Sequence, residues 1–258
     1  MALLHVNYFS EVLGLSTSMD VILPQPAKGQ IGMGSVAVNG KLPVLYLLHG
    51  LSDDHTIWQR RTSIERYVAD LPLAVVMPTV HRGFYTDAKQ GYDYWTHISE
   101  EIPRIVKSFF PISDRREDTF AAGLSMGGYG ALKLGLSMPD KFAAVASLSG
   151  AVDMAGREQE RFTPEFTRIF GTQEELRGSE DDLVAVFERQ VEKGVKLPKI
   201  MLICGTEDFL YKQNLEMRGR MTGRADLTYY EEPGTHEWGF WDRNIQRVLK
   251  WLPIQTEK

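Results

Sequence analysis

Ser125 is the residue whose surroundings would make it a nucleophile. It lies in Gly123-Leu124-Ser125-Met126-Gly127, between a short apolar run over residues 119–124 and a helical pattern over residues 129–138. A strand that turns sharply into a helix at a serine lifts the Oγ above the sheet edge, and the flanking glycines tolerate the crowded backbone. The helix N-terminus then offers unpaired N–H groups and positive potential to a developing oxyanion. With glycine near 7% of residues, such a string arises by chance in roughly one chain in ten of this length. The competing reading is a tight turn that carries a polar residue, so the partners of Ser125 must decide.

Acyl transfer by serine needs a base for the Oγ proton and a carboxylate that holds the base in one tautomer. Only His236 among the six histidines follows Ser125, in the turn-rich Pro233-Gly234-Thr235-His236-Glu237-Trp238. Its alternative is a surface loop histidine. The candidate acid is Asp208, in Cys204-Gly205-Thr206-Glu207-Asp208-Phe209 directly after an apolar run. A carboxylate at the C-terminal end of a strand faces the crevice where open α/β sheets bind ligands. Glu207 and Asp153 remain rivals, the latter after Ser149-Gly150-Ala151 at the end of the preceding strand. An oxyanion hole needs two converging N–H groups. Met126 would supply one, and Leu51 in His49-Gly50-Leu51-Ser52 the other, with Gly50 permitting the bend. His49 reads as a hydrogen-bonder within that turn rather than as a second base.

The elements that must position these residues alternate between strand and helix. Residues 3–8 and 19–23 predict an antiparallel pair around Gly14, and residues 24–40 a surface connection. Apolar runs at 43–48, 73–77, 119–124, 143–148 and 199–204 suit strands buried on both faces. A further strand is expected at 227–231. Helical spacing appears at 56–69, 94–110, 211–222 and 241–252, with Pro103 expected to kink the second or to begin a new first turn. Residues 151–197 break the rhythm. They carry Phe162, Phe166 and Phe170 at four-residue spacing and a second helical pattern over 183–191, which predicts a small helical insertion or lid. The phenylalanine stripe has an ordinary alternative as core packing. The alternation predicts one α/β domain over residues 1–258, a mostly parallel sheet with helices on both faces and antiparallel N-terminal strands.

Composition agrees with an enzyme-sized domain that has a full core. The chain is 43% hydrophobic and 24% charged, with a formal net charge of -5, which argues against a nucleic-acid or anionic-membrane partner. One cysteine, Cys204, excludes an internal disulfide and fits a reducing compartment, so a cytoplasmic location is expected. In an apolar strand, Cys204 reads as buried and inert. The first residues show neither a basic region nor a long apolar one, so no signal peptide is expected. Neither a metal site nor a cofactor is expected, because the histidines and carboxylates lack ligand-type spacing. Oligomeric state, including a homo-oligomer, is left open.

The strings YLLHGLSDDHTIW, GLSMGGYGAL, CGTEDF and GTHEW, in this order across residues 46–238, resemble the esterase D group of α/β-hydrolases. Within it, the chain is most similar to the tributyrin (short-chain acyl) esterases of lactic-acid bacteria and streptococci. The resemblance implies an α/β-hydrolase fold and a serine carboxylesterase that cleaves short-chain acyl esters of small molecules. It places Ser125, Asp208 and His236 in a triad, with Leu51 and Met126 as oxyanion donors. It also implies substrate contacts from an aromatic segment containing Phe84, Tyr85, Tyr92 and Trp95, and from Trp238 in the last string. The group includes acyltransferases and S-formylglutathione hydrolases on the same triad. The latter usually carry His before the nucleophile where this chain has Leu124, which favours the carboxylesterase branch.

Overall fold

A strand with apolar side chains on both faces must be covered from both sides, and the architecture follows from that requirement. The computed structural model describes residues 1–27, 29, 31, 32, 34–36, 40–156 and 163–254. Among the described residues, eight strands form one sheet: β1 Ala2–Ser10, β2 Leu15–Leu23, β3 Val44–Leu48, β4 Ala74–Pro78, β5 Thr119–Leu124, β6 Ala144–Leu148, β7 Lys199–Gly205 and β8 Leu227–Glu232. Their order is β1-β2-β4-β3-β5-β6-β7-β8. The β1/β2 and β2/β4 pairs are antiparallel, and all others are parallel. Along β3, Val44, Tyr46 and Leu48 enter one core, while Leu45 and Leu47 enter another on the opposite face. The first core is covered by helices Ile102–Phe109 and Met126–Ser137, and the second by the segment after β3 and helix Trp238–Trp251. No helix among the described residues is long and apolar enough to cross a membrane.

The departures from the expected elements have local causes. The pattern at 56–69 splits into helices Ile57–Arg61 and Ile64–Tyr67. Between them the Thr62 hydroxyl donates to the Trp58 carbonyl and accepts the Ile64 N–H, so a side chain takes over from the helical ladder. In the pattern at 94–110, a π turn over His97–Glu101 precedes the helix Ile102–Phe109, whose first turn holds Pro103. Proline cannot donate the helical bond, and the wider turn absorbs the defect. Strand β2 begins at Leu15, because polar Ser16, Thr17 and Ser18 pair in register with Phe9, Tyr8 and Asn7. Pairing decides there, not propensity. The last helix begins at Trp238, three residues before the first apolar position that announced it.

Between β6 and β7 lie helices Pro164–Phe170, Gln173–Leu176 and Leu183–Glu192. Phe166 and Phe170 are buried, their rings 5.4 and 5.5 Å from that of Phe84. The third member of the expected stripe, Phe162, lies outside the described residues. The parallel strands bring the residues that follow β3, β5, β6, β7 and β8 to one edge, with Leu48 beside Gly123 and Leu124 beside Leu148.

Candidate active site

The turn after β5 is strained and tightly packed. Ser125 sits at φ 54°, ψ -115°, a left-handed conformation that non-glycine residues seldom adopt. Its N–H donates to the Leu148 carbonyl at 2.9 Å, which continues the ladder up to the nucleophile position. A Cβ on Gly127 would lie 2.4 Å from the Leu48 carbonyl oxygen and 2.7 Å from that of His49. The glycine is therefore required by close approach: the first turn of helix Met126–Ser137 presses against the end of β3. That contact brings the segment after β3 beside Ser125, and a Cβ built on Gly50 would lie 3.7 Å from the Ser125 Cβ.

Ser125, His236 and Asp208 come together from three different strand ends. The His236 Nε2 lies 3.0 Å from the Ser125 Oγ, and its Nδ1 lies 2.8 Å from the Asp208 Oδ2. Because a carboxylate can only accept, Nδ1 carries the proton and Nε2 is left to accept from the serine hydroxyl. The other Asp208 oxygen accepts the Leu210 N–H at 2.8 Å, and the carboxylate has no exposed surface. Glu207 points elsewhere. Its Oε2 accepts the Gly234 N–H at 2.5 Å while its own N–H donates to the Gly234 carbonyl at 3.1 Å. The rival acid thereby clamps the loop that carries His236. Asp153 accepts from the Gly156 N–H.

The turn after β3 is held from below. His49 is buried, with Nδ1 2.7 Å from the Gly50 carbonyl oxygen and Nε2 accepting the Val80 N–H at 3.0 Å. Burial lowers its pKa to about 4, so the ring is neutral and each nitrogen keeps one role. The Tyr85 hydroxyl donates to the His49 carbonyl at 2.9 Å. Leu51, half-buried, follows this pinned pair, and the buried Met126 opens the helix after Ser125. Ser52, at φ 72°, completes the turn. Asp53, in the same turn, has its carboxyl pKa raised by burial and then by Asp54.

The expected aromatic wall is only partly a surface. Phe84 is buried with Tyr129, Phe166 and Phe170 around it. Tyr85 is fully buried against Gly130 and holds the His49 turn. Trp95 lies under the Lys133 ammonium, 4.5 Å from its ring centre. Phe84 and Tyr85 are therefore packed inside the molecule, which the residue types alone could not show because an aromatic ring serves core and cleft equally well, while Trp95 is half-buried. Tyr92 is exposed and packs against Tyr94. Trp238 is half-buried, 5.3 Å from both Trp58 and Trp241. Sequence reasoning missed the two rings that flank His236: Trp241 at 4.8 Å and Phe209 at 4.5 Å. Phe209 stood in a quoted string next to the acid, which was the available signal. Cys204 is buried in β7, and burial pushes its thiol up to about 12.

A serine hydroxyl bonded to an imidazole that is itself bonded to a buried carboxylate is an arrangement for nucleophilic acyl transfer. The family model described as "Putative esterase" matches residues 10–252. An acetyl esterase of Caldicellulosiruptor saccharolyticus is 31% identical over 262 residues, covering 98% of both chains. Among solved structures, the fluorophosphonate-binding serine hydrolase F of Staphylococcus aureus, with substrate bound, superposes with a TM-score of 0.86. It is 34% identical, with 98% of this chain and 99% of that one covered. An S-formylglutathione hydrolase of Staphylococcus aureus is likewise 34% identical, with a TM-score of 0.84 and 98% of each chain covered.

Proposed function

The chain belongs to this esterase family, as a serine carboxylic ester hydrolase of α/β-hydrolase fold, and from that premise we propose a short-chain carboxylesterase working through an acyl-enzyme. Ser125 attacks the ester carbonyl while His236 takes its proton through Nε2. Asp208 fixes the imidazole tautomer and supports the imidazolium that forms. The Met126 and Leu51 N–H groups receive the oxyanion, on a turn that His49 and Tyr85 hold in place. His236 returns the proton to the leaving alcohol. It then activates the water that releases the acid. The observation that carries this reading is the continuous chain Ser125 Oγ–His236–Asp208, with contacts of 3.0 and 2.8 Å.

A fluorophosphonate probe tests the nucleophile: wild type should be labelled and Ser125→Ala should not, and equal labelling would overturn the assignment. The short acyl preference, of the tributyrin-esterase kind, is supported by the acetyl esterase relative. Rates on acetate, butyrate and octanoate esters of one alcohol should fall along the series, and a maximum at octanoate would refute the short acyl preference.

The S-formylglutathione hydrolase relative favours a second reading, thioester hydrolysis on the same triad. It weakens the argument from Leu124, since that name occurs at 34% identity to this chain. Turnover of S-formylglutathione above that of acetate esters would make the thioester the preferred substrate class.

A further inference from the structure

The proposed proton return places the leaving alcohol. Its oxygen must come within hydrogen-bond reach of the His236 Nε2, so the body of the alcohol must lie beside the imidazole ring. Among the described residues two aromatic rings border that imidazole, and they differ in exposure. Trp241 meets it edge-to-face from the interior, is 5% exposed, and is tied by its Nε1–H to the Ser149 hydroxyl at 3.2 Å. Phe209 lies on the open side, its centroid 4.5 Å from the imidazole centroid and its plane tilted by 49°, and 64% of the residue is exposed.

Phe209 is also held in place from both neighbours in the chain. Asp208 before it has a fully buried carboxylate bonded to His236, and Leu210 after it is buried with its N–H on the Asp208 Oδ1. The Tyr211 N–H donates to the Asp208 carbonyl at 2.9 Å, closing the turn from which the phenyl ring projects. An apolar ring in water beside the group that protonates the alcohol is a preorganised stacking surface. Its flat face suits a partner that also presents a flat apolar face.

We propose that Phe209 forms the wall of the leaving-alcohol subsite and selects esters whose alcohol is a ring, an aryl group or the C–H face of a pyranose, over linear alkanols. This rests on the triad reading given above. Phe209 touches the departing group and not the acyl chain, so its effect belongs to alcohol choice.

The test compares kcat/KM of wild type, Phe209→Ala and Phe209→Tyr on phenyl acetate, a mono-acetylated methyl xylopyranoside and ethyl acetate. The acyl group is constant, and intrinsic leaving-group reactivity cancels when the ratio of ring ester to ethyl acetate is compared between variants. In Phe209→Ala that ratio should fall about tenfold, the scale of one lost aromatic contact. Phe209→Tyr should restore most of it. A fall on only one of the two ring esters supports the subsite and names its ring. A ratio that does not change overturns the proposal. So does an equal fall on all three esters with a displaced pH midpoint of kcat/KM, because Phe209 would then act only by holding His236. Fluorophosphonate labelling of the same wild-type preparation separates the two levels. A labelled enzyme with an unchanged ratio refutes the subsite alone, whereas an unlabelled one refutes the nucleophile beneath it. The exposed position lets the alanine variant fold, which an unchanged Tm verifies.

Discussion

At the scale of single residues, neighbouring positions in one loop do different work. Glu207 and Asp208 are adjacent carboxylates after β7, yet one clamps Gly234 and the other bonds His236. In the proposed mechanism, Asp208→Asn offers Nδ1 the wrong partner and should lower kcat about 10⁴-fold, by analogy with serine proteases, while leaving the urea midpoint nearly in place. Steady-state kinetics with Asp153→Asn as the control reads this, and a larger loss from the control would move the acid. Gly127 is constrained by space, since its Cβ would overlap the Leu48 carbonyl. Gly127→Ala should therefore cost about 1–3 kcal/mol or more in denaturant unfolding, the range of an overpacked core. It should also reduce fluorophosphonate labelling, because the turn that yields is the one carrying Ser125.

At the scale of elements, helix Met126–Ser137 both presents Ser125 and anchors the segment between β6 and β7. Lys133 on this helix is buried. Its ammonium bonds the Asp181 carboxylate, the Tyr85 carbonyl and the Thr86 hydroxyl. Burial lowers the Lys133 pKa, against the pull of Asp181. Removing one partner of a buried pair strands the other charge, so Asp181→Asn should cost about 3–5 kcal/mol in urea unfolding. The double variant Lys133→Met with Asp181→Asn should cost clearly less, because no buried charge is then left unpaired. Equal losses would mean that the pair acts through packing alone. The helical pattern placed Lys133 on a helix, but only packing against residues 85, 86 and 181 shows which side of that helix is covered.

At the scale of the whole molecule, the two cores on either side of the sheet keep its C-terminal edge in register. The interior near that edge carries a pH dependence. Unfolded His49 has a pKa of about 6.5, and in the folded chain burial lowers it to about 4. The Gly50 hydrogen bond and Asp54 pull the other way without reversing that direction, and the nearby His81 and His55 rings add to it. Below pH 6.5 the unfolded chain therefore binds a proton that the folded chain refuses, and stability falls as pH falls. The contribution is complete above about pH 6.5, and its loss, about 3 kcal/mol, is complete by about pH 4. Urea unfolding from pH 7 to 4 should show the decline, and His49→Asn should flatten it; an equal slope in both proteins would assign the decline to other groups.

What the sequence determined by itself was local: apolar runs long enough only for buried strands, a serine between glycines at a strand-to-helix turn, and one histidine after it. These follow from steric and hydrophobic rules that act within a few residues, and the mostly parallel sheet with antiparallel N-terminal strands expected from them matches the observed fold, whereas the strand order came only from the structure. Tertiary structure decided whatever depends on two distant segments meeting. It placed Asp208 rather than Glu207 or Asp153 against His236, because side-chain direction at a strand end is set by the loop packed over it. It buried Phe84 and Tyr85 beneath the site and left Phe209 in the open beside His236. Burial belongs to the contact between elements, and a phenylalanine in a sequence does not carry that information.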